Sequence, residues 1–260
     1  MPQTGEVLSN EVLQDSYHKI EFYVPEICKK TKPGQFVHIQ IPNLKERILR
    51  RPFSICNVTE QGVLTVAYKV VGIGTQALAD VQPGAVADVM GPFGVPFSIP
   101  ADDEFPVIIG GGYGSAATYL LAQSAAQKGV LILGARSKDD LILVDKFEEL
   151  GFEVLTTTND GSHGHKGLVT DLIPHVIEKH GDKKLRFYGC GPKGMLMAMG
   201  KILNEDNHKT ELSLDQMMCC GIGACFACVI KVVDDNEDGW RYARTCNEGP
   251  VFDSNNVYYE

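Results

Sequence analysis

Over the first hundred positions apolar and polar residues alternate in short runs, and residues 16–24, 35–42, 51–58 and 63–71 each read as a strand. Turn-forming triplets separate them: Lys32-Pro33-Gly34, Asn43-Leu44-Lys45 and Glu60-Gln61-Gly62. Strands this short and this evenly spaced predict a small antiparallel barrel, with one helix inside it at 75–81. Gln82-Pro83-Gly84 and Gly91-Pro92-Phe93-Gly94 add turns, and residues 99–103 read as the linker out of the barrel.

The texture changes at Phe105. A short apolar run (105–109) meets Gly110-Gly111-Gly112, a helical stretch follows over 115–128, and 130–134 returns as a buried strand. The alternation continues through 138–150, 153–157, 166–180, 185–188, 192–204 and 210–214, as expected of a parallel sheet covered by helices on both faces. From Asp215 the regular pattern ends in a tail rich in Gly and Cys.

A chain of 260 residues exceeds the roughly 250 at which single cores stop growing, so more than one domain is expected. The expected fold is multidomain: an N-terminal antiparallel β-barrel over 1–100, a Rossmann-like α/β nucleotide-binding domain over 101–214 and a small C-terminal domain over 215–260. A net charge of -9 argues against nucleic acid, whose phosphates require a basic face, and suits solubility or a basic protein partner. The opening Met1-Pro2-Gln3-Thr4-Gly5-Glu6 has no basic segment leading into an apolar run, and no stretch reaches the roughly 20 apolar residues of a membrane span. A cytoplasmic location is therefore expected.

Five of the eight cysteines fall in the last 42 residues, which in such a chain reads as metal binding rather than disulfides. Cys220, Cys225 and Cys228 have the C-x4-C-x2-C spacing of plant-type 2Fe-2S ferredoxins, and Cys246 follows after 17 intervening residues. Three thiolates on one loop can wrap two irons, a fourth from a returning strand closes the site, and the glycines let backbone amides approach the sulfurs. Structural zinc, the alternative, favours two separated C-x2-C knuckles, and one is present. Cys219 reads as a packing thiol, and Cys28 and Cys56 as small buried residues.

Two further signals precede the tail. In Arg51-Pro52-Phe53-Ser54 the guanidinium suits a phosphate or flavin carbonyl, the Phe an apolar ring and the Ser a flavin nitrogen. Lys69 and Gly72-Ile73-Gly74-Thr75 form a second candidate, either a pyrophosphate cradle or a helix cap. Gly110, Gly111, Gly112 and Gly114 surround a strand-to-helix turn of nucleotide-binding type, or simply a tight turn. Cys190-Gly191-Pro192 ends a later strand, at the edge where open α/β sheets bind ligands. Arg136 sits where a 2'-phosphate is read, whereas Asp139 and Asp140 favour NAD, which is the preferred reading. No Ser-His-Asp order or His-Glu-x-x-His motif is apparent, so no catalytic residue is assigned, and His175 and His180 read as surface residues.

Taken in chain order, these motifs, with Glu248-Gly249-Pro250-Val251-Phe252 after the fourth cysteine, resemble the electron-transfer subunits of class 1B, NAD-dependent dihydroorotate dehydrogenases, within the ferredoxin-reductase-like superfamily. The resemblance spans essentially the whole chain. It implies FAD held by Arg51, Pro52, Phe53, Ser54, Tyr68, Lys69, Val70, Gly74 and Thr75, with NAD(H) received beside it by the α/β domain. It implies a 2Fe-2S cluster on Cys220, Cys225, Cys228 and Cys246. It further implies electron exchange with the FMN of a separate catalytic subunit, in a heterotetramer serving pyrimidine biosynthesis. Similar subunits serve ferredoxin:NADP and hydrogenase-type complexes; in some of these an Asp replaces the first cluster Cys, and this chain has Cys220. Phe53, Ser115-Ala116-Ala117 and Gly94-Val95-Pro96 depart from the family pattern.

Overall fold

The computed structural model describes residues 2–44 and 46–259. Met1, Glu260 and Lys45 of the expected 43–45 turn lie outside the described residues.

Seven strands build the N-terminal sheet: β1 (Pro2–Gln14), β2 (Tyr17–Tyr23), β3 (Phe36–Gln40), β4 (Arg51–Ser54), β5 (Asn57–Val58), β6 (Val63–Lys69) and β7 (Val86–Phe93). Their order is β4-β3-β7-β1-β2-β6-β5, with every pairing antiparallel. The outermost strands of that order, β4 and β5, are neighbours in the chain. Between them Ile55 N–H donates to Gln35 O (3.0 Å) and Cys56 N–H to Thr65 O (2.9 Å), which joins the two edges into a barrel. Closure pairs backbone groups that an open edge would leave exposed. Alternate residues point inward, as the pleat requires: Ile20 and Phe22, Val37 and Ile39, Leu64 and Val66 all lie in the barrel core.

Two features depart from expectation. β1, the longest strand, is absent from the hydrophobic pattern because only Val7 among its described apolar side chains is fully buried, whereas Leu8 and Val12 are exposed. Bulges between Val7 and Ser9 and between Val12 and Gln14 break its alternation, and backbone pairing to β7 and then β2 defines it instead. The expected strand 51–58 is two strands, divided where the barrel closes.

The second sheet contains β8 (Glu104–Gly111), β9 (Val130–Ala135), β10 (Glu153–Thr158), β11 (His165–Lys166), β12 (Lys184–Cys190) and β13 (Lys209–Ser213). These are parallel, ordered β11-β10-β9-β8-β12-β13. The chain winds outward from β8 on one side and resumes at β12 on the other, so the switch point lies between β8 and β12. The helix after β8 spans Gly114–Ser124 and the one after β12 spans Lys193–Glu205. The expected helix 138–150 is interrupted: a 3-10 turn at Lys138–Asp140 and a helix at Val144–Glu149 meet at Leu143, which adopts φ 63°. The helix in 166–180 begins only at Ile173 with Pro174 in its first turn. His180 is not a surface residue: it is buried, stacked on Phe105 with centroids 4.8 Å apart.

The tail retains regular structure beyond Asp215. β14 (Val229–Val233) and β15 (Trp240–Arg244) form an antiparallel hairpin, and β16 (Val251–Asp253) adds antiparallel to β13, completing the second sheet. Hydropathy hides the hairpin because one of its faces is solvated: in β15 only Ala243 is buried. Gly94 abuts Gly249-Pro250, where a Cβ would lie 2.5 Å from Pro250 Cδ, and Val95 bridges to Pro250. The tail thereby touches both sheets.

At the amino ends of the parallel strands, opposite the switch-point edge, Glu104 is flanked by Lys209 (3.3 Å), Arg186 (3.6 Å) and Lys184 (3.7 Å), and Arg186 also binds Glu211 (2.8 Å). Burial raises the Glu104 carboxyl, but the Ala101 N–H and these cations outweigh it and hold it below its ordinary range. Arg186→Met should destabilise the fold by about 3 kcal/mol, since it strips the central partner from two largely buried carboxylates. A group with a lowered folded pKa stabilises above its unfolded value and loses that contribution as pH falls. Urea unfolding should therefore show the full deficit at neutral pH and a shrinking one below about pH 4.

Candidate functional site

A cavity of about 700 Å³ opens where the barrel, the parallel sheet and the tail meet. The barrel contributes Tyr17, Phe36, Pro52, Phe53, Ser54 and Lys69 to its wall; the sheet contributes Gly111, Gly112, Tyr113, Gly114, Arg136 and Asp140. Cys190, Gly191 and Pro192 line it from the end of β12, and Asp215, Met218 and Pro250 from the tail. Its volume falls in the range of cofactor sites.

The two glycine turns meet because Gly110 and Cys190 are register partners at the carboxyl ends of β8 and β12. A Cβ on Gly111 would lie 2.7 Å from Pro192 Cδ, and one on Gly191 would lie 2.9 Å from Gly111 N. A Cβ on Gly114 would overlap the Cys190 carbonyl. Side chains at these positions would push the strands apart, so the glycines create a close-packed backbone floor at the switch point. Gly110 itself is buried beneath this floor. Burial pushes the Cys190 thiol up to about 12, which leaves it protonated and unreactive at neutral pH.

On the barrel side, Pro52, Phe53 and Ser54 present a shelf to the cavity. Tyr68 does not reach it: its ring backs Phe53 edge-on (5.9 Å) and its hydroxyl donates to Asn10 Oδ1 (3.1 Å). Val70 packs against the barrel core. Arg51 and Gly74 do not line the cavity but stand together, where a Cβ on Gly74 would come 3.2 Å from Arg51 Nε. Thr75 Oγ1 accepts from Val71 N–H (2.9 Å) and Gly72 N–H (3.2 Å), so its hydroxyl caps the short helix Ile73–Ala79.

Lys69 binds Asp140 Oδ1 (2.6 Å), which also accepts from the Tyr17 hydroxyl (2.9 Å). This cluster straps the barrel to the 3-10 turn Lys138–Asp140 in the cavity wall. The Lys69 and Tyr17 hydrogen bonds outweigh burial and hold the Asp140 carboxyl below its ordinary range. Asp140 Oδ1 is thus occupied by Lys69 and Tyr17, and both Asp140 and Arg136 line the cavity.

The tail brings the four cysteines together by a local device. β14 starts directly after Cys228, β15 ends at Arg244, and Val229 pairs with Arg244, so the hairpin returns Cys246 to Cys228. Thr245 N–H donates to Cys228 O (2.8 Å). The thiols of Cys228 and Cys246 contact each other, as do those of Cys220 and Cys225. Backbone amides point at the sulfurs: Gly223 N–H donates to Cys246 Sγ (3.2 Å). Burial raises the Cys220 thiol, but the N–H groups of Ile222, Ala224 and Cys225 and the Cys225 thiol bring it down to about 6. Arg244 holds the loop from outside, donating to Gly223 O (2.9 Å) while paired to Glu248 (3.1 Å). Among the described residues no group of three or more His, Cys, Asp or Glu side chains is gathered as a site for a single metal ion. Cys220, Cys225, Cys228 and Cys246, two thiol pairs with amides aimed at them, would suit a 2Fe-2S cluster, which takes four thiolates. Cys219 also reaches the Cys225 thiol, a contact its reading as a packing thiol did not anticipate.

Phe36, Met218 and Asp215 escaped the sequence reading. Phe36 is a wall of the cavity and packs on Cys228 and Cys246, and Met218 lines the cavity and joins the same cluster. Asp215 projects into the cavity, where the surrounding protein raises its carboxyl. The first two look like ordinary apolar residues, and Asp215 is adjacent to no motif signal strong enough to single it out.

Residues 215–258 match the family model for the iron-sulfur cluster binding domain of dihydroorotate dehydrogenase B. The electron transfer subunit of dihydroorotate dehydrogenase B (NAD(+)) from Fusobacterium nucleatum is 36% identical over 257 residues, covering 96% of this chain and 95% of the relative. That of Bacillus cereus is 41% identical over 232 residues, covering 87% of this chain and 86% of the relative. Among solved structures, the NADH-dependent reduced ferredoxin-NADP oxidoreductase studied for flavin-based electron bifurcation superposes with TM-score 0.85 and 29% identity, covering 98% of this chain and 90% of that one. A Neisseria gonorrhoeae ferredoxin NADP+ reductase with bound FAD and NADP, at TM-score 0.64 and 19% identity over 79% of this chain and 92% of that one, shares the fold.

Cys225→Ser should abolish the visible iron-sulfur absorption of the purified protein while Cys219→Ser retains it; loss in Cys219→Ser would shift the ligand register by one residue. Asp140→Asn should weaken the strap between barrel and second domain by about 1 kcal/mol. Because the Asp140 carboxyl is lowered, wild-type and variant should converge in thermal stability only as pH falls below about 4.

Proposed function

The chain belongs to the electron transfer subunits of NAD-dependent dihydroorotate dehydrogenase B, and from that membership we propose that it conducts electrons between NAD(H), FAD and a 2Fe-2S cluster, to or from the FMN of a separate catalytic subunit in pyrimidine biosynthesis. The observation that carries this reading is a shared wall: Phe36 and Met218 line the cofactor cavity on one side and pack against the cysteines on the other. A flavin in the cavity would then lie next to the cluster.

The residues divide the work. Pro52, Phe53 and Ser54 provide the flavin shelf, and Arg51 beside Gly74 provides a charge for its phosphates. Lys69 and Tyr68 act indirectly, Lys69 by holding Asp140 and Tyr68 by backing Phe53. The backbone floor of Gly111, Gly112, Gly114, Gly191 and Pro192 receives the nicotinamide nucleotide, with Cys190 as an apolar contact. Bound in this cavity, FAD supplies the exchange between two-electron hydride chemistry and the one-electron chemistry of the cluster. Cys220, Cys225, Cys228 and Cys246 hold the cluster. We assign residues 1–100 to FAD, 101–214 to NAD and 215–260 to the cluster, with β16 stitched into the second domain.

Met217, Ile222 and Phe226 are exposed on or beside the cysteine loop. Apolar side chains there suit a face covered by the catalytic subunit in a heterotetramer. None of the eight cysteines is paired in a disulfide, which suits the reducing cytoplasm. No described helix is long and apolar enough to cross a membrane. The near-complete superposition on the ferredoxin-NADP oxidoreductase structure favours one alternative, membership of a ferredoxin-linked complex.

Coexpression with a dihydroorotate-oxidising FMN subunit should yield a stable complex in which NADH reduces both flavin and cluster. Cys225→Ser should retain flavin reduction by NADH in this subunit and lose electron exchange with the partner. Recovery of a ferredoxin-reducing partner, or a preference for NADPH, would reject the reading in favour of its alternative.

A further inference from the structure

His38 lies in β3 opposite Pro52 of the flavin shelf and is only 2% exposed. Its Nε2 is buried with no hydrogen-bond partner among the described residues. An unpaired buried polar atom is costly, and such atoms in folded proteins normally have a partner. The neighbours within the barrel offer none. Phe36 and Phe93 pack on the ring at 5.7 and 6.1 Å. The nearby Arg50 makes no hydrogen bond to Nε2, and its own Nη2 is engaged by Asp88 at 2.7 Å.

The Nε2 edge of the ring faces the tail. A Cβ on Gly221 would overlap Nε2, so the imidazole sits directly on the backbone next to Cys220. Gly221 has φ 68°, so both its conformation and its lack of a side chain are required for this approach. Phe36, two residues before His38 on the same strand, packs on Cys228 and Cys246. The orphaned nitrogen thus lies against the cysteine loop at Gly221, the residue after Cys220.

We propose that His38 Nε2–H donates a hydrogen bond to a sulfur of the 2Fe-2S cluster and raises the cluster's reduction potential. This rests on the cluster reading above. A donor aimed at the sulfurs stabilises the negative charge that reduction adds, and hydrogen bonds to sulfur are among the main determinants of iron-sulfur potentials. The assignment gives the buried nitrogen its missing acceptor. It also makes β3 a strut with two duties: it pairs with the strand that carries the flavin shelf, and it delivers a donor to the cluster.

The test is a redox titration of the cofactor-loaded protein, followed by electron paramagnetic resonance of the reduced cluster. His38→Leu should make the cluster about tenfold harder to reduce, a fall of about 59 mV for one electron, with the flavin midpoint unchanged. His38→Gln, whose amide can still donate, should recover part of that loss. In wild-type protein containing isotopically labelled histidine, pulsed resonance should detect weak coupling between the reduced cluster and a histidine nitrogen, absent from His38→Leu. An unchanged midpoint in His38→Leu overturns the proposal. So does the absence of histidine coupling in the wild type, which decides the matter alone if the variant fails to assemble. A protein loaded under the same conditions that shows no 2Fe-2S signal at all would instead reject the cluster reading on which the proposal stands.

Discussion

The packing of β3 against the cysteine loop is the contact on which the rest of the molecule depends. Electrons cross between redox groups only when those groups are close, so the cavity and the cluster loop have to share a wall. Phe36 provides it, buried between Cys228 and Cys246 on one side and the cavity on the other. His38 continues the same surface onto Gly221. Both residues occupy an interior strand of a closed barrel, where neighbours on each side hold them in register. A cluster loop resting on an edge strand would inherit the mobility of that edge.

Three other attachments preserve this contact. Pro250 receives Gly94 and Val95 from the barrel's exit, and β16 joins the tail to the parallel sheet. Lys69, Asp140 and Tyr17 strap the barrel to the 3-10 turn in the cavity wall. The tail alone would be too small to sustain a core: its hairpin buries few apolar residues, and much of its order comes from these attachments and from the cysteine site itself. That explains why hydrophobic periodicity failed there while the cysteine spacing remained informative.

The parts legible in the sequence are those whose chemistry is local. The C-x4-C-x2-C loop, the glycine turns at the ends of β8 and β12 and the Arg51–Ser54 strand each fit within a few residues, and short-range constraints on backbone and ligand type leave a readable trace. Strand-helix alternation revealed the parallel sheet because its strands are buried on both faces. β1 left no such trace, since a bulged strand with one fully buried apolar residue has no period to detect.

By itself, then, the sequence determined the four cysteines, the two nucleotide-type turns, the flavin-type strand and the order in which they occur. Only the tertiary structure decided that Asp140 answers Lys69, that Tyr68 stands behind Phe53, and that Phe36 and His38 lie against the cysteine loop. The physical reason is distance along the chain. Lys69 and Asp140 are 71 residues apart and bond at 2.6 Å. His38 meets a loop that begins at Cys220, and nothing in the residues around either one records the meeting.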